Sequence, residues 1–347
     1  MAAKKLMTQN LQLIGHQSEV NCVKFSPCGD FMASAGHDKL INVWDVFHPR
    51  VQSLGYCKGH KNSILDLTWD HEIESTSNQP PRLHSCSADK TLASWDMVDF
   101  SRIRTFKGHE DVVNSLDVSY NGIGDENSTS YATGLACDML ASGSNDGTVK
   151  LWDFRERRFS ASFIVNYQVT AVAFSKSNDL VFFGGVDNTI RGLNLKKRQI
   201  EYTLVGHMDT VTGLALSPCG SKLLSNAMDY TVRIWDVQPF STSETREEKV
   251  FLGATHNVER NLLRCCWSAD MQYVSAGSAD RTTNIWEVST GVLKHRLGGH
   301  TGSVNETALH PSGTIIASGS SDRTVWLGEI GASSDSGVPD LQQKVSD

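Results

Sequence analysis

The residues with the most chemical potential in this chain are serines, histidines and aspartates, and they recur as a set. Histidines preceded by glycine stand at His16, His60, His109, His207 and His300. Each is followed by a serine (Ser34, Ser85, Ser142, Ser225, Ser318) and, four residues on, by an aspartate (Asp38, Asp89, Asp146, Asp229, Asp322). Ser, His and Asp are the residue types of an acyl-transfer triad, in which histidine takes the serine proton and aspartate orients the imidazole. An enzyme needs one such site, however, and five similar copies argue for a repeated structural task. A fourth residue type joins them: Trp44, Trp95, Trp152 and Trp235 each stand six residues after the aspartate, as Trp286 does after Asp280.

The copies that fail are informative. The serine position reads Phe183 in the fourth unit and Ala276 in the sixth. These are also the units without Gly-His; the sixth keeps only Thr255-His256, and the fourth has Asn166-Tyr167 nearby. Residues lost together bond together. A nucleophile elbow of the form G-x-S-x-G is absent, as are a P-loop, G-x-G-x-x-G and H-E-x-x-H. The eight cysteines form no C-x-x-C and read as reduced structural thiols, not a disulfide or zinc framework. No catalytic residue, metal ligand or cofactor site is assigned.

Composition narrows the partners. The chain has 347 residues, 39% of them hydrophobic, and 32 Lys+Arg against 39 Asp+Glu give a net charge of −7. That balance argues against a surface built as a nucleic-acid groove, though not against a local basic patch. No apolar run approaches the roughly 18 residues of a membrane span. Residues 1–15 lack an apolar signal core, which predicts a protein kept inside the cell.

The elements that position these residues follow from the repeat. The aspartates fall at 38, 89, 146, 187, 229, 280 and 322, so seven units run in phase. Each unit reads as four strands. In the fifth these are Val211–Leu216, a strand beginning at Lys222, Thr231–Asp236 and Lys249–Leu252. The last unit supplies three, Val304–Leu309, Ile315–Ser318 and Thr324–Ile330. Leu11–Ile14 precedes the first Gly-His and is expected to be the missing fourth, removing an exposed edge. Units of this length, opening on Gly-His and ending on Trp-Asp, resemble the WD-repeat β-propeller family. The resemblance implies an all-β, seven-bladed ring over residues 11–330, with residues 1–10 and 331–347 as tails. It also implies that His, Ser, Asp and Trp form a buried hydrogen-bonded tetrad tying the second and third strands to the loop before the first.

Partner contacts are sought in two places. The third position of each inner strand reads Cys22, Asp66, Ser115, Ala171, Gly213, Arg264 and Glu306. The ionisable members, Asp66, Arg264 and Glu306, are expected to open to water at the channel mouth and to meet a peptide or protein loop there. Insertions at Glu72–Pro81, around Tyr120–Cys137 and at Gln238–Glu248 are expected on the face opposite Gly-His, where long loops carry binding. The basic clusters Lys196–Arg198 and Arg155–Arg158 read as solvated outer turns.

Several segments exceed what a generic repeat needs: Asn166–Val172, Gly185–Asn188, Leu224–Asp229, Trp235–Phe240, His256-Asn257 with Asn261–Cys265, Ala276–Arg281, and the ending Leu327–Ile330. Together they resemble the WD-repeat family of the U5 small nuclear ribonucleoprotein. That resemblance implies a nuclear, non-catalytic scaffold of pre-mRNA splicing. It would dock, as a monomeric propeller, the large central U5 protein and the neighbouring GTPase and helicase, with indirect or minor RNA contact and no membrane. The alternative is an adaptor of another nuclear complex, such as a ubiquitin-ligase substrate receptor.

Overall fold

Short runs of β-branched and small residues, punctuated by turns every few residues, dictate short antiparallel strands. The computed structural model describes residues 10–48, 53–70, 82–120, 139–154, 156, 158–241, 245–257, 259 and 261–330. Its strands form seven four-stranded antiparallel sheets. We call these blades one to seven, with strands a to d from the axis outwards. Strand a of blade four, Val169–Phe174, is buried at every residue, because neighbouring blades cover both of its faces. The d strands lie at the rim and alternate, as Phe159–Ile164 shows. Hydrophobic clusters fill the spaces between blades; one joins Val20, Val23, Met32 and Trp44 of blade one to Ile315, Val325 and Leu327 of blade seven.

In blade five the strands Val211–Leu216 and Thr231–Asp236 have the bounds read from sequence; the second strand runs Lys222–Ala227 and the outer one Glu247–Leu252. The ring closes as expected. Asn10–Ile14 pairs antiparallel with Thr324–Glu329, Leu11 opposite Leu327 and Leu13 opposite Val325. The last blade thus takes its outer strand from the N-terminal side, so first and last strands share one sheet.

A second device was not foreseen. In six blades the a strand carries a bulge between its first and third residues, as between Val20 and Cys22 or Val304 and Glu306. A bulge interrupts the ladder and re-aims a side chain. In five of these blades the second residue clasps the next blade. Asn21, Asn114 and Asn305 each donate to the first carbonyl of the following a strand, Ile64, Val169 and Val20, at 2.7 Å. Thr170 does the same to Val211, and Thr212 donates at 2.8 Å to the Leu263 carbonyl, just before the strand Cys265–Trp267.

The insertions at Glu72–Pro81 and 121–138 fall outside the described residues, between strands a and b of blades two and three; in the third, so do 242–244. Arg155 and Arg157 of the second basic cluster also fall outside them. An extension that sequence reading missed joins blades five and six. The connection there spans 253–264, whereas blades one and two are joined by 59–63 alone.

Candidate functional site: the buried tetrads and the axial channel

Each Gly-His lies in the loop before an a strand, the serine on strand b, the aspartate in the b–c turn and the tryptophan on strand c. In blade three, His109 Nδ1 lies 2.7 Å from Asp146, His109 Nε2 lies 2.7 Å from Ser142 Oγ, and Trp152 Nε1 donates to the same Oγ at 2.8 Å. Blades one, two and five repeat this with His16, Ser34, Asp38 and Trp44, with His60, Ser85, Asp89 and Trp95, and with His207, Ser225, Asp229 and Trp235; all their bonds lie between 2.7 and 2.9 Å. The protons have one consistent arrangement. The indole can only donate and the carboxylate can only accept. The serine hydroxyl therefore accepts from tryptophan and donates to Nε2, and Nδ1–H donates to aspartate. The glycine before the histidine has a steric cause: a Cβ on Gly15 would stand 2.7 Å from the Trp44 ring.

The charges agree with this arrangement. Burial disfavours the imidazolium and holds His109 and His300 below the ordinary histidine range, even against Asp146 and Asp322. Burial also opposes ionisation of Asp89, Asp146 and Asp229. Hydrogen bonds from the histidine, from Thr91, Thr148 and Thr231, and from a backbone N–H outweigh it and place these carboxyls below the usual range.

Three blades depart. In blade seven, His300 keeps Ser318 and Asp322 at 2.9 Å, but the tryptophan position is Gly328. Trp326 occupies the space instead, from the position directly opposite Ser318, with its ring 5.9 Å from His300. Among the described residues its Nε1 finds no partner. In blade six, Ala276 offers no hydroxyl, so Trp286 Nε1 turns to the Leu252 carbonyl at 3.0 Å, and Asp280 pairs with Arg296. His256 joins no tetrad; it lies against Tyr230, and neither ring nitrogen makes a well-formed hydrogen bond. In blade four, Arg191 bridges Asp187, at 2.5 Å, and the Tyr167 hydroxyl.

A further Ser-His-Asp group, absent from the sequence reading, sits in blade two. His84 Nδ1 meets Ser94 at 2.8 Å and its Nε2 meets Asp70 at 2.7 Å. It falls outside the repeat phase, which is why the internal comparison passed over it.

The expectation for Asp66, Arg264 and Glu306 needs correction. They do not open to water: Asp66 and Arg264 are 5% exposed and Glu306 is fully buried. Their charges are spent inside the ring. Glu306 of blade seven accepts from the Val23 N–H at 2.8 Å and from Lys24 Nζ at 2.5 Å, both in blade one. Asp66 of blade two accepts from Ser115 at 2.8 Å in blade three. Arg264 of blade six crosses the channel to the Asn114 carbonyl at 2.6 Å and the Thr170 carbonyl at 3.4 Å, with Asp66 3.6 Å away. Burial alone would lower the pKa of Lys24, but the Glu306 and Asp66 charges hold it above the ordinary lysine range. Beyond this polar floor a cavity of about 330 Å³ opens towards the a–b turns, past Lys24, Thr68, Asp117 and Cys266.

The comparisons with known proteins agree with this geometry. The family described as WD domain, G-beta repeat matches residues 7–45, 100–153, 158–191, 198–236, 250–287 and 291–327. Residues 46–99, which hold the inner three strands of blade two, lie outside these matches although the tetrad they carry is complete. The pre-mRNA-splicing factor cwf17 of Schizosaccharomyces pombe is 41% identical over 325 residues, 94% of this chain and 88% of that one. The U5 small nuclear ribonucleoprotein 40 kDa protein of Homo sapiens is 42% identical over 318 residues, 92% and 83% of the two chains. Its namesake in Dictyostelium discoideum is 37% identical over 327 residues, 94% and 86%. The chain therefore belongs to the WD-repeat family that includes the U5 small nuclear ribonucleoprotein 40 kDa proteins.

Proposed function

We propose that this chain is a non-catalytic docking platform of a U5-type small nuclear ribonucleoprotein and acts in pre-mRNA splicing in the nucleus. The observation that carries this is the near full-length similarity to relatives bearing those names. The chemistry of the repeated residues supports a structural reading over a hydrolase. Ser34, Ser85, Ser142 and Ser225 are fully buried, and each oxygen is already held by an indole and an imidazole. A nucleophile needs access to substrate and a vacant oxyanion site. Its partners would be the large central U5 protein and the adjoining GTPase and helicase. With Asp66, Arg264 and Glu306 turned inward, those contacts fall to the two faces and the loops, not to the axial charges.

Gradient sedimentation of nuclear extract tests the reading. The chain should travel in fractions containing U5 small nuclear RNA and shift with them when that RNA is digested. Migration with a ubiquitin ligase, or as a free monomer, would replace the splicing reading by the generic adaptor.

A further inference from the structure

Going beyond protein docking, six cations meet on one rim of blades one and two: Lys39, Lys58, Lys61, Lys90, Arg102 and Lys107. All six are exposed. Lys58 ends a d strand opposite Leu40, the neighbour of Lys39, and Lys107 ends the next d strand opposite Thr91, the neighbour of Lys90. The Lys61 N–H bonds the Asp89 carboxylate at 2.8 Å, which sets Lys61 beside Lys90. Arg102 Nη1 reaches back to the Gly59 carbonyl at 3.0 Å, between Lys58 and Lys61.

None of the six forms an ion pair among the described residues. Lys90 donates only to a neutral group, the Glu110 carbonyl, at 2.7 Å. Lys39 and Lys90 hold left-handed turn positions, φ 67° and 70°, where Gly or Asn would sit with less strain. The loop after His109 bounds the rim with two exposed acids, Glu110 and Asp111, and on the same face the loop after His207 carries Asp209. The net charge of −7 thus conceals a local cationic rim. Beside it stands an aromatic: Tyr56, 60% exposed, lies two residues before Lys58 and so on the same side of its strand.

We propose that this rim binds the phosphate backbone of single-stranded RNA, with Tyr56 stacking on a base. Five of the six cations are lysines, spread point charges that suit a run of phosphates. Tight recognition of acidic side chains favours forked arginine pairs, and the rim has a single arginine. An exposed aromatic beside a cationic track is the arrangement single strands use.

The test is fluorescence anisotropy of the full chain with a labelled oligouridylate of about 20 nucleotides, over about 50 to 200 mM potassium chloride. Single strands lose affinity with a log–log salt slope of about −0.7 per phosphate neutralised, so six contacts predict a slope of about −4. The triple change Lys58→Gln, Lys61→Gln, Lys107→Gln should reduce the slope to about −2, and Lys107→Gln alone should reduce it by about 0.7. Tyr56→Ala should weaken binding about fivefold or more without altering the slope. The triple change Lys196→Gln, Lys197→Gln, Arg198→Gln, at the outer turn of blade four, should alter neither. Absence of salt-dependent binding would overturn the proposal, as would equal loss in the blade-four control. Displacement of the RNA by polyglutamate at matched charge would overturn it in favour of an acidic protein partner. Melting curves of every variant separate lost binding from lost folding, and the single change keeps the test open if the triple variant unfolds.

Discussion

Replacing Ser142 by alanine should destabilise the ring more than replacing Ser318, although both serines occupy the same repeat position. Ser142 Oγ is fully buried and serves two groups, the Trp152 indole and the His109 imidazole. Ser142→Ala leaves both without a partner, and each buried unsatisfied group costs about 1–3 kcal/mol. The expected loss is therefore about 2–6 kcal/mol. Ser318 serves His300 alone, because Trp326 stands two residues away from the usual tryptophan position and does not bond it. Ser318→Ala should cost only about 1–3 kcal/mol. Blade six shows how the larger loss is relieved: beside Ala276 the Trp286 indole reaches a backbone carbonyl, and a similar turn of Trp152 towards the Lys107 carbonyl would give the lower limit. At about 2.1 cal/mol/K per residue, a ring of this size shifts about 1.5 °C per kcal/mol. Differential scanning calorimetry should show melting lowered by about 3–9 °C for Ser142→Ala and about 1.5–4.5 °C for Ser318→Ala. Equal losses, or a larger loss for Ser318→Ala, would refute the view that the serine is a shared hub and the indole the second group it satisfies.

Other expectations follow from the same geometry. Deleting residues 1–14 removes the outer strand of blade seven while sparing the His16 tetrad; melting should fall and the bared edge of Thr324–Glu329 should promote self-association, read by light scattering. Arg264→Met leaves Asp66 without its cation and the Asn114 carbonyl without its donor; a urea titration should show a loss of about 3–5 kcal/mol. Acid should destabilise the protein in two stages. Burial lowers His256 to about 4, with Asp229, Asp209 and the Ala227 backbone opposing it in part, and His109 and His300 are also lowered. Their stabilisation is complete above the ordinary histidine pKa of about 6.5 and is lost as pH falls below it, because the unfolded chain binds the proton more tightly. Below about 4 the tetrad aspartates, also lowered, add a steeper loss. His256→Phe should flatten the upper stage by about 3 kcal/mol, measured as unfolding free energy against pH.

Much of the ring was legible because its period is written in side chains that must meet. The six-residue step from Asp to Trp, and the joint loss of serine and Gly-His, located the blades and the tetrads. What stayed hidden depends on bulges, register and pairing between blades, which the repeat spacing does not show. The clasps of Asn21, Asn114 and Asn305 depend on a bulge that sequence does not mark. Trp326 could not be recognised as a steric substitute without the strand register that sets it opposite Ser318. Asp66, Arg264 and Glu306 drew notice as charges on an inner strand, correctly, but their partners come from other blades, more than 40 residues away in sequence. A charge whose partner is distant in the chain looks unpaired, and for that reason it was expected to face water. The lysine rim was hidden in the same way, since its members are brought together by strand pairing and are scattered from Lys39 to Lys107 in sequence.

The central claim, a propeller that works by docking within a U5-type particle, is tested most directly by affinity purification of the tagged chain from nuclear extract, reading RNAs by sequencing and proteins by mass spectrometry. The account predicts recovery of U5 small nuclear RNA with large splicing proteins, abolished by deleting residues 1–14 and retained by Ser318→Ala. Recovery of a ligase complex, or of the chain alone without U5 RNA, would contradict it.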